Sequence, residues 1–344
     1  MPVTYKQIAE MLGVSRGTVD RALNDRGRVD PEVQKRIQQV AKELGFTPSH
    51  VGRALARARN PVKIGVVIHL TKTPFFRQVM LGVEQARTEI GNLGGELLIE
   101  EIPSLDAEMQ IKAFKALIEQ GIQGLAISPV HNEALKAEIN GLCETRKLPI
   151  VTFNTDFAEL NRMCYVGLDN ARAGRTAAGL MNLLLKEKSG RVLLISGYKD
   201  NPAHVLRIRA FTEEVEGRFP YIDVSGGCSY SQDDDDVAYG IVMAAAKEIS
   251  KPDAVYVASG GQIGVCRALV DSGMAGKLKV ILYDTLPDTV EYLKKGVIDF
   301  IIDQNAFEQG NRPPHILFNY LFNGQQVEEE NIFTDISIKT KYNI

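Results

Sequence analysis

The 344-residue chain is too long for one compact core, and 44% hydrophobic with 24% charged residues is the composition of an ordinary folded protein. It offers neither the long uncharged apolar window of a membrane span nor an apolar run near its start to serve as a signal peptide, so the cytoplasm is the expected compartment. The formal net charge of -3 is unevenly spread: residues 1–60 carry 11 Lys+Arg against 6 Asp+Glu and the remainder 29 against 37, the footprint of a nucleic-acid module joined to an acidic body.

Thr4 caps a first helix reaching Leu12, with Ile8, Ala9 and Leu12 on one face; Gly13 ends it and Ser15 caps a second helix reaching Leu23. Ala9, Gly13, Val14 and Val19 supply the small, turning and packing residues that a helix-turn-helix needs at that spacing. A third helix opens on Asp30 and Pro31 and runs to Leu44, its apolar stripe made by Val33, Ile37, Val40, Ala41 and Leu44. With the second helix in a major groove, Arg16, Gly17 and Thr18 face base edges, Arg21 follows one turn on, and Arg16 is the residue suited to guanine. The alternative is a small helical bundle for protein contacts, its arginines merely solvated. The basic stretch SHVGRALARARN (49–60) suits a short helix with Val51, Ala54, Leu55 and Ala58 on one side. Such a helix is too short to stand alone; it would order on DNA with a partner copy, or else serve as a flexible tether.

Beyond Pro61, β-branched runs alternate with amphipathic stretches. Strands are expected at KIGVVIH (63–69), GELLIEEI (95–102), GLAIS (124–128), PIVTFN (149–154), RVLLIS (191–196), DAVYVAS (253–259) and KVILYD (279–284). The alternation predicts an α/β body with parallel sheets covered by helices, and its length suits two doubly wound lobes, opened by KIGVVIH and RVLLISG. Such sheets bind ligands at the carboxyl ends of their strands. The aromatic and polar residues falling there are Phe75, Phe76, Asn154, Asp156, Asn201, His204, Arg207, Asp284 and Gln304. Rings for CH faces beside amide, carboxylate and guanidinium groups suit a small hydroxylated ligand. The competing account is that the strand-end Asp and Asn cap helices and the aromatics belong to the core.

Other signals are weaker. QDDDD (232–236) lacks the spaced ligands of a calcium loop and precedes a helical stretch whose dipole suits acids, so no metal is expected. SGGQIG starts a helix and could cradle a phosphate, but it matches neither glycine-rich phosphate motif. The five histidines show no metal-ligand spacing, and Cys143, Cys164, Cys228 and Cys266 are read as reduced thiols. No nucleophile and base are paired in the sequence, so neither catalysis nor a cofactor is expected.

TYKQIAEMLGVSRGTVDRALN, VDPEVQKRIQQVAKELGFTPS and HVGRALARARN resemble the DNA-binding head and hinge of the lactose repressor/galactose repressor family. TPFF, QGLAISP, LPIVTFN, YVGLDNARAG and YDTLP followed by GVIDFIIDQ resemble the sugar-binding periplasmic protein fold that this family carries. The resemblance implies a helix-turn-helix head at 1–48, a hinge at 49–61 and a two-lobed body at 62–344, with lobe 1 about 62–168 and 305–332 and lobe 2 about 169–304 and 333–344. It further implies a homodimeric repressor on a near-palindromic double-stranded operator, governed by a sugar-like effector. On this basis Arg16 and Gly17 match the positions that choose the operator, and Arg21 and Asn24 lie beside the DNA backbone. Leu55 matches a leucine wedged into the minor groove, and Thr4, Ser15, Thr18 and Arg53 complete the DNA-facing set. Phe75 or Phe76, Asn154, Arg207, Asp284 and Gln304 match the sugar cleft. The chain departs from the pattern in having Asp20 for a serine, Asn154 for an aspartate, Ser259-Gly260 near a usual asparagine, and Pro313-Pro314, which should interrupt a helix normally continuous. Read from the body alone, a solute-binding protein or an enzyme of small polar metabolites would use the same cleft.

Overall fold

The computed structural model describes residues 3–23, 27, 29–44, 61–186, 188–248 and 251–344. The chain forms two compact units, a small N-terminal helical one and a larger α/β one. Asn24, Arg53 and Leu55, together with the expected hinge helix, lie outside the described residues.

The helical unit contains α1 (Tyr5–Leu12), α2 (Arg16–Leu23) and α3 (Pro31–Glu43). Local chemistry sets their ends. Thr4 and Gln7 form a reciprocal capping box, Gly13 closes α1 in the left-handed conformation at φ 66°, and Ser15 accepts from the Thr18 amide at 3.0 Å. Asp30 accepts from the amides of Glu32 and Val33, and Pro31 fills the first turn of α3. Ile8, Ala9, Val19, Ala22, Ile37 and Ala41 are buried at the centre.

The larger unit has two sheets. The first is built from β1 (Val62–His69), β2 (Gly95–Ile102), β3 (Gly124–Ile127), β4 (Ile150–Phe153), β5 (Cys164–Gly167) and β12 (Asn331–Phe333), in the order β12-β5-β4-β3-β1-β2. The second has β6 (Gly190–Ser196), β7 (Ile222–Asp223), β9 (Ala254–Val257), β10 (Lys279–Tyr283), β11 (Phe300–Asp303) and β13 (Ser337–Lys339), in the order β13-β11-β10-β9-β6-β7, with β8 (Cys228–Tyr230) also paired to β6. The central pairings are parallel and β13 joins β11 antiparallel.

Helices cover these sheets. On the first lie α4 (Pro74–Asn92), α5 (Ala107–Glu119), α6 (Glu133–Arg146) and α12 (Ala306–Asn323), and on the second α7 (Asn170–Leu185), α8 (Pro202–Arg218), α9 (Asp235–Ala245), α10 (Gln262–Asp271) and α11 (Pro287–Lys294). The second sheet separates two cores: Phe211 and Tyr256 stack on the α7–α8 side, while Val242, Val265 and Leu269 pack on the side of α9 and α10. Strands buried on both faces read as unbroken apolar runs, which is why their positions are legible from sequence. Short β5, β7, β8, β11, β12 and β13 were not among the seven expected strands.

The expected break at Pro313-Pro314 does not occur. α12 runs unbroken through both prolines, which are buried within it. Its Leu317, Phe318 and Phe322 are anchored in the core, and that burial outweighs the loss of two backbone donors.

The chain passes from one sheet to the other three times: after β5, after β11 and after β12. Thr334 ties the three crossings together. Its amide donates to the Gly167 carbonyl at 2.8 Å, and its hydroxyl donates to the Gln304 carbonyl at 3.0 Å.

Candidate functional site

On the helical unit, Ser15, Arg16 and Gly17 are exposed at the start of α2, with Thr18 half-buried and Arg21 exposed one turn on. Val19 and Ala22 occupy the opposite, buried side, so burial of one face of α2 leaves these residues facing outward. A Cβ built on Gly17 would meet nothing nearer than the Ser15 hydroxyl at 3.7 Å. Thr4 is likewise exposed, and its side chain is engaged in the α1 cap.

In the larger unit a cavity of about 190 Å³ opens at the carboxyl ends of the strands. Of the eight effector-site residues expected from the sequence, Phe75, Phe76, Asn154, His204, Arg207, Asp284 and Gln304 border it. Asp156 does not. Two residues past Asn154 its carboxylate has turned to Arg162, accepting from Nη2 at 2.7 Å and Nε at 2.9 Å, and it also accepts from the Thr152 hydroxyl. This carboxylate is spent on a half-buried ion pair.

Arg207 is buried on α8 and donates from Nε to Asn170 at 2.7 Å, from Nη1 to the Ala258 carbonyl at 3.1 Å and from Nη2 to Gln304 at 2.8 Å. Its guanidinium carbon lies 4.1 Å from the centre of the Tyr283 ring. Gln304 passes the chain on, donating to Asp284 Oδ1 at 2.6 Å, and Gln262 donates to Asp284 Oδ2 at 3.4 Å. Gly174 makes this placement possible: a Cβ there would collide with the Arg207 carbonyl oxygen, so α7 and α8 cross closely enough for Asn170 to meet Arg207. Burial pushes the Asp284 carboxyl up to about 6, although Gln304 and Arg207 favour its charged form.

Asn154 and Asp284 terminate β4 and β10 with positive φ, 61° and 72°, in the region that Asn and Asp tolerate better than other side-chain-bearing residues. Asn154 donates to Gln309 at 3.1 Å and Gln309 donates to the Gln304 carbonyl at 2.8 Å, so the two strand ends are coupled beneath the cavity. Phe75 and Phe76 meet edge to face at 5.2 Å, and His69 lies 4.8 Å from Phe76.

Sequence reasoning missed His69, Asp233, Asp235, Ser259 and Gln262, all of which border the cavity. QDDDD and SGGQIG are separate weak signals in the sequence, for calcium and for phosphate; the fold brings them together, with Asp233 accepting from the Gly260 amide at 2.9 Å and Asp235 from the Gly264 amide at 3.0 Å. Among the described residues no group of three or more His, Cys, Asp or Glu is placed to hold a metal ion, and no helix is long and apolar enough to cross a membrane. The four cysteines are free, and burial pushes each thiol up to about 11 or 12.

Residues 64–326 match the periplasmic binding protein domain family, and residues 4–49 match the bacterial regulatory proteins of the lacI family. The ribose operon repressor of Haemophilus influenzae is 30% identical over 164 residues, 46% of this chain and 45% of the relative, so the match spans about half the length of that protein. Catabolite control protein A of Staphylococcus aureus is 22% identical over 339 residues, 96% of each chain. Among solved structures, GanP, a glucose-galactose binding protein from Geobacillus stearothermophilus, is similar with a TM-score of 0.74 at 22% identity, over 83% of this chain and 99% of GanP, which shows the shared fold. The chain therefore belongs to the periplasmic binding protein domain family, and it carries a domain of the lacI family of bacterial regulatory proteins at its start.

Proposed function

We propose that the protein is a sequence-specific DNA-binding transcriptional repressor whose operator affinity is set by a small hydroxylated effector in the cleft between the two sheets. The observation that carries this reading is the union, in one chain, of a lacI-type domain presenting Arg16, Gly17 and Thr18 outward with a cavity bordered by aromatic rings and a hydrogen-bonded Arg207–Gln304–Asp284 chain. The relatives named for a ribose operon and for catabolite control support the regulatory role, and the sugar-binding neighbour supports the effector class.

In this reading two copies bind the half-sites of a near-palindromic operator in the cytoplasm, since two-fold symmetry in the protein is mirrored in the DNA. Arg16 and Gly17 choose the sequence, while Thr4, Ser15, Thr18, Arg21, Asn24 and Arg53 position the head and Leu55 wedges the minor groove. Phe75 or Phe76 stacks on the ligand, and Asn154, His204, Arg207, Asp284 and Gln304 bond its hydroxyls. Ligand that binds two arrangements of the lobes unequally shifts the balance between them, and DNA affinity follows by linkage.

The test is operator selection from random duplexes by the full chain, followed by operator titration with and without each of a panel of sugars and polyols. A selected palindrome whose affinity changes with one panel member is the expected result. Failure to select any sequence would overturn the DNA-binding role, and equal operator affinity with a ligand demonstrably bound would overturn the coupling.

A further inference from the structure

We infer that the cleft admits an uncharged polyhydroxylated ligand and discriminates against its phosphorylated and carboxylated counterparts, because carboxylates outnumber cations around it and its one guanidinium is largely engaged within the chain. The inference rests on the reading of this cavity as the effector site.

Anions in a doubly wound fold are held chiefly at helix N-termini, whose free amides and dipoles favour negative charge. The end of α8 is capped from within the chain, and the end of α10 is flanked by carboxylates. At α10, which begins after Gly261 with no side-chain cap of its own, the Gly260 amide donates to Asp233 and the Gly264 amide to Asp235. Both carboxylates border the cavity at this helix end, where their charge opposes that of an entering phosphate. At α8, Pro202 has no amide hydrogen and the Asn201 side chain accepts from the amides of Ala203 and His204.

The ionisable side chains point the same way. Three carboxylates, Asp233, Asp235 and Asp284, border the cavity against one guanidinium, Arg207, and no lysine is among the bordering residues described. Among the described residues Arg207 has no carboxylate within ion-pair distance, and three of its five donors are used by Asn170, Ala258 and Gln304. His69 and His204 add no positive charge, since burial lowers them to about 4 and about 3. Neutral His204 instead offers what a hydroxyl needs: its Nδ1 is buried at the cavity with no hydrogen-bond partner among the described residues. A buried nitrogen left open in this way is satisfied by a ligand or water. An entering phosphate or carboxylate would lose its hydration and meet an excess of negative charge around the cavity.

The experiment is thermal unfolding of the full chain at pH 7.5 against matched sets of aldopentoses, aldohexoses, hexitols and inositol, each beside its phosphate and, where one exists, its acid. At least one neutral member should raise Tm, its anionic counterpart should bind at least tenfold more weakly, and Asp233→Asn with Asp235→Asn should narrow that gap. An anionic compound that raises Tm as much as its neutral counterpart overturns this inference and leaves the effector-site reading standing. If no compound of either class raises Tm, the effector-site reading falls and this inference with it. The wild-type comparison decides the matter even if the Asn variants do not fold.

Discussion

Arg16 and Asp284 show how differently a charged side chain behaves on a surface and in a cavity. Arg16 is exposed at the first position of α2, free of any packing duty, so its contribution would be felt only when DNA is present. Arg16→Ala should leave the melting temperature unchanged and weaken specific operator binding by about 1–3 kcal/mol, with relaxed preference at one base pair, checked by titration of single-base operator variants. Asp284 is buried and its carboxyl stands at about 6, against an ordinary 3.8, so holding it charged costs the folded protein about 3 kcal/mol near neutrality. Replacement by Asn, which can still accept from Gln304, should therefore stabilise the unliganded protein while weakening effector binding by about 1.5–3 kcal/mol. Denaturant unfolding and calorimetric binding of the same variant measure both effects, and a destabilised Asp284→Asn would show that the charge is better paired than its surroundings indicate.

The α7–α8 pair is the element on which the cleft depends most directly. Gly174 lets the two helices approach until Asn170 takes up the Arg207 guanidinium, and the same approach seats Phe211 against Tyr256 below. Gly174→Ala inserts a methyl group against the Arg207 carbonyl oxygen and the Ala210 side chain, with no room on either side. Overpacking of this kind costs about 1–3 kcal/mol, although alanine is the better helix former. The loss should appear in urea unfolding and be accompanied by weaker effector binding, since α8 would carry Arg207 away from Gln304 and Asp284. The opposite outcome is expected at Gly17 on α2, where a Cβ would make only an ordinary contact with the Ser15 hydroxyl: Gly17→Ala should stabilise the helical unit by up to about 1 kcal/mol, seen as a raised melting temperature, and alter operator choice.

Across the whole molecule the titratable groups of the cleft make stability depend on pH in a definite sense. Below about pH 4 Asp284 is protonated in both folded and unfolded chains and costs nothing; between 4 and 6 only the unfolded chain ionises readily, so its contribution to stability falls as pH rises and the full cost is present above 6. His69 and His204 act in the reverse direction. Their folded values lie near 4 and 3, so as pH drops below 6.5 the unfolded chain takes up protons that the folded one refuses, and stability is lost on the acid side. The difference in melting temperature between Asp284→Asn and the wild-type chain should therefore be small at pH 4 and grow to a plateau above pH 6; a difference that does not vary with pH would remove Asp284 as its source. Thr334 acts at the same scale, because one residue joins all three crossings between the sheets, through its amide to Gly167 and its hydroxyl to Gln304. Thr334→Val keeps its volume and removes the hydroxyl donor, and a loss of about 1 kcal/mol in urea unfolding is expected.

Helix ends and long buried strands were legible in the sequence because their causes are local. Thr4, Gly13, Ser15, Asp30 and Pro31 act on amides within a turn of themselves, and a strand covered on both faces must be apolar throughout. Strand-end position was enough to gather Phe75, Phe76, Asn154, His204, Arg207, Asp284 and Gln304 into one set, since a doubly wound fold turns every such end toward the same crevice. Tertiary structure alone decided the rest. Three-residue strands such as β12 and β13 exist because a neighbouring strand offers an edge, not because their own residues demand it. α12 survives two prolines because its apolar face is buried. Asp156 turned from the cleft because Arg162 offered it a closer partner. The acidic run and the glycine-rich turn looked like two weak anion or metal signals until folding set one on the other, for a hydrogen bond between Asp233 and Gly260 spans 27 residues of chain that no local pattern records. Sequence alone determines where a segment is content to be helix or strand; which polar groups it spends on its own chain, and which it leaves for a ligand, depends on neighbours that only the folded chain supplies.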